Sequence, residues 1–419
     1  YNYTIMQTTW LRSFIRLFAP AQPIPAVHRS TFVNLFMDMA WIGVLSGSTI
    51  TFLSVYAARL GATSTQIGFI SAAPAVINLI FAIPAAGWTR GRPLGAAAFW
   101  SSALARIFYL PLCFLPYFFK PAQEIWAIIV IILVMNVPLS LLNVSFNAMM
   151  IESVPFEWRA YVVGLRNGLL SIITVIVTLV SGQILNHVPF PLGYQIVFGL
   201  GFLGAAMSSL HLFLLREKGA PLPGSARTAA GWFPRFERTA GNLKYFRILF
   251  LLFCFHTTQW LVIPVVPLYS VNFLKLTDVQ ISLGNSMFNL IVFFGSFALA
   301  RVSGRFGNHR ATAFCAMGMA IFPVILSFSR GFGLYMTAQF VGGVVWSILM
   351  GALFNYLAEN VPEENRASGI SLYIFVSNGS ILIGSLLGPM ICDQAGYPVA
   401  LLAFGGLRLL SGLAILRWG

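Results

Sequence analysis

The chain has 419 residues, of which 58% are hydrophobic and only 9% are charged, and its mean hydropathy is +0.83. Because soluble globular domains carry about 25% charged residues, this composition excludes a soluble protein and indicates a protein that crosses a membrane several times. The net charge of +14 would suit a nucleic-acid-binding protein, but the basic residues lie mainly in loops between hydrophobic runs, which argues against nucleic acid as a partner.

Hydrophobic runs bounded by turn residues or charges predict twelve membrane-spanning helices. The predicted spans are 32–58, 66–88, 94–117, 125–150, 161–185 and 193–215 in the first half, and 246–273, 279–300, 311–328, 332–356, 368–392 and 397–416 in the second half. A proline-containing, basic segment between the halves reads as a linker. The predicted domains are therefore a cytoplasmic or interfacial segment (1–31, with a short amphipathic helix at 10–18), a six-helix bundle (32–215), a cytoplasmic linker (216–245) and a second six-helix bundle (246–419).

The distribution of lysine and arginine predicts the orientation of these spans. If the N-terminus is cytoplasmic, 18 of the 25 basic residues fall in cytoplasmic segments, as the positive-inside rule requires. We therefore expect a multi-pass protein of a bacterial cytoplasmic (inner) membrane, with both termini cytoplasmic. Its positive charge is a topology signal, with some attraction to anionic lipids.

Two short motifs occur twice in the chain at nearly the same offset. The segment Glu152–Arg159, with the pattern Glu-x-x-Pro-x-x-x-Arg, recurs 207 residues later as Glu359–Arg366. The segment Thr63–Gln66 recurs 214 residues later as Thr277–Gln280. Copies of one motif fall on the same predicted side of the membrane, so the duplicated halves are parallel, as in many secondary transporters.

Twelve spans in two parallel halves with a basic central loop resemble the major facilitator superfamily. The resemblance covers the chain from about Phe32 onward, and it rests on the Glu-x-x-Pro-x-x-x-Arg motifs after spans 4 and 10 and on arginine-rich turns after spans 2 and 8. It implies an all-α polytopic membrane protein of twelve transmembrane helices in two parallel six-helix repeats. It also implies a central cavity lined by spans 1, 4, 7 and 10.

The arginine-rich turns depart from the pattern of that family at one position in each half. Family members carry an acidic residue where this chain has Gly91 and Gly304. The resemblance implies that this acid helps to hold the cytoplasmic side closed, so the latch is either absent here or built from other residues. The predicted cytoplasmic gate consists of Arg92, Glu152, Arg159, Arg305, Glu359 and Arg366.

Asp38 is the one acidic residue, among eleven, that lies well inside a predicted span. A carboxylate in hydrocarbon costs about 3 kcal/mol and by default marks a functional position. Two interpretations stay open and are compatible: Asp38 forms an ion pair with Arg166, or it takes up and releases a proton as water access alternates. His256 in span 7 is a second candidate for proton coupling, and its alternative is a structural, hydrogen-bonded role.

Polar and aromatic side chains on the spans that would face the cavity are candidates for solute binding. On span 4 they follow a spacing that places them on one helical face. The predicted cavity residues are Asn34, Trp41, Asn136, Asn143, Asn147, Gln259, Trp260, Gln339 and Trp346. The alternative for these polar groups is hydrogen bonding between helices, worth about 0.6 kcal/mol per contact. Arg408, on the peripheral span 12, is expected to be structural.

These features predict a secondary active transporter that moves a small, neutral or amphipathic solute by alternating access, coupled to protons. The alternative is a non-transporting membrane subunit or assembly factor with a transporter fold inside a larger complex, which the missing motif acids keep open. The sequence contains no nucleotide-binding loop, no metal-ligand spacing and no nucleophile–base pair, so we expect no enzyme activity, no metal and no cofactor. The expected partners are the solute, protons and membrane lipids, and as a transporter the protein is expected to be monomeric.

Overall fold

The computed structural model describes residues 24–89, 91–216, 243–361 and 366–419. Within these ranges the protein is all-α, and twelve helices are long and apolar enough to cross a membrane. This agrees with the predicted fold class. The predicted interfacial helix at 10–18, residues 217–242 of the predicted linker, and Pro362 of the second Glu-Pro-Arg motif lie outside the described residues.

The observed spans lie close to the predicted ones, and most of the differences are at their ends. In chain order they are Ala26–Arg59, Ser64–Trp88, Leu94–Phe118, Pro121–Ser153, Phe156–His187, Leu192–Leu214, Leu243–Phe273, Asp278–Ser296, Asn308–Phe328, Phe332–Asn360, Arg366–Ala395 and Tyr397–Trp418. Spans 1 and 4 begin several residues earlier than predicted. Span 8 ends at Ser296, and a separate short helix, Leu299–Phe306, precedes span 9.

Four spans are interrupted, and proline explains three of the interruptions. A proline has no N–H, so the carbonyl four residues earlier loses its helical partner. Pro111, Pro267 and Pro323 each lie four residues after the first residue of a break, in spans 3, 7 and 9 respectively. In span 1 the helix widens to a π-helical turn at Ser46–Ile50, a feature that often occurs at functional sites.

The repeated Thr-x-x-Gln motif is a helix cap in both halves. At the start of span 2 the Thr63 N–H donates to Gln66 Oε1 at 2.9 Å, and the Gln66 N–H donates to Thr63 Oγ1 at 3.3 Å. Thr277 and Gln280 make the same two bonds at the start of span 8, at 3.0 and 3.3 Å. These are reciprocal capping boxes, so the duplicated sequence preserves a duplicated local structure.

The same pairs of spans pack together in the two halves. In the first half span 1 packs on spans 5 and 6, and span 4 packs on spans 2 and 3; in the second half span 7 packs on spans 11 and 12, and span 10 packs on spans 8 and 9. The halves meet where span 5 contacts span 8, where span 2 contacts span 11, and where the ends of spans 1 and 7 touch. This arrangement leaves the interior between the halves available for a cavity.

Candidate functional site

A cavity of about 430 Å³ lies between the two halves. Spans 1 and 2 supply its wall from the first half, and spans 7, 8, 9, 10 and 12 supply the rest. Its lining residues are Ile50, Thr51, Ser54, Val55, Ser71, Gln259, Val262, Ile263, Val266, Pro267, Ser270, Ile281, Asn285, Phe288, Asn289, Met319, Phe322, Tyr335, Gln339, Trp346 and Arg408.

The cavity is bordered by the irregular parts of spans 1 and 7. Span 1 contributes residues that follow directly on its π-helical turn, where Thr51 Oγ1 donates to the carbonyl of Ser46 at 2.7 Å. Span 7 contributes Ile263 and its neighbours, where the helix is interrupted before Pro264. Irregular backbone inside a membrane protein is tolerated where it lines a cavity, and this is where both interruptions lie.

The second half provides most of the polar lining. Gln339 Nε2 donates to the hydroxyl of Tyr335 at 2.9 Å, and Asn289 Nδ2 donates to the carbonyl of Asn285 at 2.8 Å. With Asn285 itself and Gln259 of span 7, four amide side chains line the cavity. Amides both donate and accept hydrogen bonds, so this wall can bind uncharged polar groups. Besides Tyr335, the aromatic side chains of Phe288, Phe322 and Trp346 add apolar surface.

Three of the nine predicted cavity residues line this cavity, namely Gln259, Gln339 and Trp346. Sequence reasoning missed Tyr335, although it lies four residues before Gln339 and eleven before Trp346, on the same helical face. It also missed the hydroxyls of Thr51 and Ser54, because serine and threonine are common in helix packing and give little sequence signal.

The other six predicted cavity residues lie elsewhere. Asn34 Oδ1 is 2.9 Å from His211 Nδ1, and the buried Asn136 donates to the carbonyl of Ile132 at 2.7 Å. Asn143 and Asn147 are exposed amides of span 4. Trp41 lies beside a glycine of span 6, and Trp260 lies beside a glycine of span 11. Their place on a solute path stays a prediction.

Asp38 lies inside the first bundle, outside the lining of the described cavity. It is 3% exposed, and its two oxygens lie 3.5 Å from Arg166 Nη2 and 3.8 Å from Arg106 Nη2. The Ser208 hydroxyl also donates to Asp38 Oδ1. One carboxylate therefore serves two buried guanidinium groups, a geometry that the prediction of a pair with Arg166 covered only in part.

His256, the second predicted coupling group, is buried in the other bundle. Its Nε2 atom lies 3.1 Å from the hydroxyl of Tyr373 in span 11. It belongs to the contact between spans 7 and 11 rather than to the lining of the described cavity. Its role in coupling stays a prediction.

Polar contacts connect the two halves at the end of the molecule that carries the loops after spans 1 and 7, which we call the outer end because it is the predicted extracellular side. Arg59 Nη2 lies 3.0 Å from Asp278 Oδ1 and donates to the carbonyl of Leu276 at 2.6 Å. Tyr194 donates to the same carboxylate oxygen at 2.8 Å. The pair of Arg59 and Asp278 joins span 1 to span 8 and is partly shielded from solvent.

A second polar contact at the outer end links span 2 to span 11. Ser64 Oγ donates to Asp393 Oδ1 at 2.6 Å. Two pairs of spans from opposite halves are thus tied together at this end. The two halves are therefore in direct contact at the outer end.

Four of the six predicted gate residues, at the opposite, inner end, make contacts within their own halves. Arg159 donates to the carbonyls of Ile151 at 2.6 Å and Val154 at 3.1 Å, so it caps the end of span 4. Glu359 accepts a hydrogen bond from Asn308 at 2.6 Å. Arg92 and Arg305 each lie over a neighbouring aromatic ring. Glu152 is exposed, and the side chain of Arg366 lies outside the described part of the chain.

A comparison with protein families decides the assignment of the fold. The family model of the Major Facilitator Superfamily matches residues 31–277 and 248–419, which together cover nearly the whole chain. The chain belongs to the major facilitator superfamily. The expected resemblance is thereby confirmed, while its place within the superfamily stays open.

Solved structures of other superfamily transporters share this fold at low sequence identity. A mutant of the nucleoside transporter NupG matches 92% of this chain and 99% of its own, with a TM-score of 0.73 and 14% identity. A D-xylose-proton symporter matches with a TM-score of 0.70 and 14% identity, over 93% of this chain and 97% of its own. The xylose transporter XylE from E. coli in an inward-open conformation gives a TM-score of 0.69 at 14% identity, over 94% and 96%.

Proposed function

We propose that this superfamily member is a secondary active transporter that moves a small, neutral or amphipathic solute across a bacterial inner membrane by alternating access. The observation that carries the proposal is the cavity between the halves, which is bordered by amides and aromatic rings, while the pair of Arg59 and Asp278 joins the halves at the outer end. Such a cavity offers a site near the middle of the fold to which each side could gain access in turn.

The proposal includes a rocking motion of the two six-helix halves, 32–215 and 246–419, about the cavity. Opening of the outer end requires the contacts of Arg59 with Asp278 and of Ser64 with Asp393 to break. The Arg59–Asp278 pair is partly shielded from solvent and Ser64 is buried, and one polar contact of either kind contributes only about 0.5–3 kcal/mol to stability. They favour one conformation without locking the protein in it.

Proton coupling is the second part of the proposal, with Asp38 and His256 as its candidate groups. Each lies within one bundle at a contact between helices, so a change of protonation would act through helix packing rather than by direct contact with the solute. Protons, the solute and membrane lipids are the proposed partners, and both termini are proposed to be cytoplasmic.

Flux in proteoliposomes tests the function. We expect the purified protein to accumulate at least one radiolabelled solute from a panel of D-xylose, uridine, indole and indole-3-acetate when a proton gradient is imposed. Accumulation should stop when an ionophore removes the gradient. The Gln339→Leu variant, which removes an amide from the cavity wall, is expected to lower the initial rate by about tenfold, since an unpaired polar group of the solute costs about 1–3 kcal/mol.

The matched control is Gln195→Leu in span 6, a glutamine outside the lining of the cavity, which should leave the rate unchanged. Flux of no solute in either direction, together with stable purification in complex with other membrane subunits, would overturn the transporter proposal and favour a scaffold role. Flux that persists without the gradient would support the proposal of transport and contradict the proposal of proton coupling.

A further inference from the structure

The wall of the cavity contains one charged residue, Arg408 of span 12. Its side chain is almost completely buried, with an exposed fraction of 1%. Nη1 donates to the carbonyl of Met319 at 3.0 Å, and Nη2 donates to the carbonyls of Thr258 at 3.1 Å and Gln259 at 3.2 Å. A residue expected to be peripheral is therefore held between spans 7 and 9, at the cavity.

The carbonyls that hold Arg408 lie next to the interruptions of spans 7 and 9. Met319 precedes Pro323 by four residues, so its carbonyl lacks the usual N–H partner. Thr258 and Gln259 lie in the last turns of the helix that ends at Val262, where carbonyl groups carry the partial negative charge of the helix C-terminus. The breaks in spans 7 and 9 thus position the guanidinium group.

These carbonyls orient the guanidinium group but do not neutralise its full charge. Within the described part of the chain no carboxylate lies within salt-bridge distance of Arg408, whereas Arg106 and Arg166 both lie close to Asp38. The three hydrogen bonds use three of the five N–H donors of arginine, and Nε is buried without a partner among the described residues. A buried cation with unused donors at the edge of a cavity is a binding position for an anion.

We propose that the solute is an amphipathic monoanion whose carboxylate binds Arg408. Its apolar part would lie against Phe288, Phe322 and Trp346, on the aromatic surface of the same cavity. A single arginine matches a single negative charge, and the lining supplies no second cation for a dicarboxylate or a phosphate monoester. This inference rests on the proposed function and narrows its solute class.

Equilibrium binding without a gradient tests this inference separately from transport. Isothermal titration calorimetry of the full chain in nanodiscs would compare three acids, benzoate, phenylacetate and indole-3-acetate, with the corresponding amides and with benzylamine, phenethylamine and tryptamine. We expect at least one acid to bind about tenfold or more tightly than its own amide, as for a charge-assisted pair in a buried site, and we expect the amines not to bind.

Variants assign the preference to Arg408. In Arg408→Gln the acid and the amide are expected to bind alike, in Arg408→Lys the acid stays preferred, and the exposed control Arg330→Gln behaves as wild type. If Arg408→Gln does not fold, the wild-type comparison still decides. The inference would be overturned if no acid bound more tightly than its amide in any of the three series, or if Arg408→Gln kept the wild-type preference for the acid. Transport of an uncharged solute alone would also overturn it, while leaving the proposed function intact.

Discussion

Asp38→Asn is expected to lower the free energy of unfolding by about 3–5 kcal/mol, because removal of one partner from a buried ionic cluster leaves charge without compensation. In this protein the substitution leaves two buried guanidinium groups without their negatively charged partner, those of Arg106 and Arg166, each 5% exposed. Thermal and denaturant unfolding of the purified protein in detergent would measure the loss. The fall should be large, since both arginines lie within 4 Å of the same carboxylate.

Two further variants separate the ionic cluster from a general effect of charge. Glu152→Gln, at an exposed carboxylate at the end of span 4, should change stability by less than about 0.5 kcal/mol. The double variant Asp38→Asn with Arg166→Gln should be more stable than the sum of the single changes predicts, since it removes one of the uncompensated charges. An Asp38→Asn protein that unfolds at the wild-type temperature would show that the arginines do not depend on Asp38.

The same variant distinguishes the two roles that the sequence left open for Asp38. If Asp38→Asn folds and retains gradient-driven flux at the wild-type rate, Asp38 is an ion-pairing residue and has no part in coupling. If the flux becomes independent of the gradient while solute binding persists, the carboxylate carries the proton as well. Both outcomes are measured in the proteoliposomes that test transport.

Gly68→Val and Gly182→Val are expected to prevent the outer end from closing. A Cβ at Gly68 would lie 2.7 Å from the carbonyl oxygen of Ser385, and one at Gly182 would lie 2.6 Å from Ser282 Cβ. Each glycine of the first half thus packs directly on a serine of the second half. Overpacking such a contact costs about 1–3 kcal/mol, which would shift the equilibrium toward an open outer end by about 5–150-fold.

Labelling of a cysteine introduced at Ser71, on the wall of the cavity, would measure this shift. With the four natural cysteines replaced by alanine, an impermeant maleimide added from the predicted extracellular side should react faster in both valine variants, and flux should fall. Gly199→Val is the matched control, because a Cβ there meets no atom within 4 Å. Labelling at the wild-type rate in both variants would show that these contacts do not govern closure.

Much of the fold could be predicted from the sequence because membrane spans impose strong, local requirements. Long apolar runs marked the twelve spans, and the recurrence of the Thr-x-x-Gln motif marked the duplication, although its role as a helix cap was not predicted. Pro264 and Pro267 predict a kink in span 7, and the helix is interrupted there, between Val262 and Val265. The interruptions at Pro111 and Pro323 were missed, since prolines in membrane helices are tolerated when neighbouring groups replace the lost hydrogen bond.

The site was harder to predict, because a helical face can be identified from spacing but the neighbour that it meets cannot. Gln339 and Trp346 lie in the cavity wall, whereas Asn136 satisfies its own helix by bonding to the carbonyl of Ile132. Arg408 was expected to be peripheral from its place in the order of spans. Its long side chain reaches the cavity because the breaks in spans 7 and 9 present carbonyls to it.

Cross-linking of Ser64→Cys to Asp393→Cys tests most directly the claim that the halves alternate about the cavity. The two side chains touch at 2.6 Å across the outer end, so oxidation of the cysteine pair should form a disulfide that holds this end closed. We predict that flux stops in the oxidised protein and returns on reduction, while each single cysteine variant stays active throughout. Undiminished flux with the disulfide intact would contradict alternating access through this cavity.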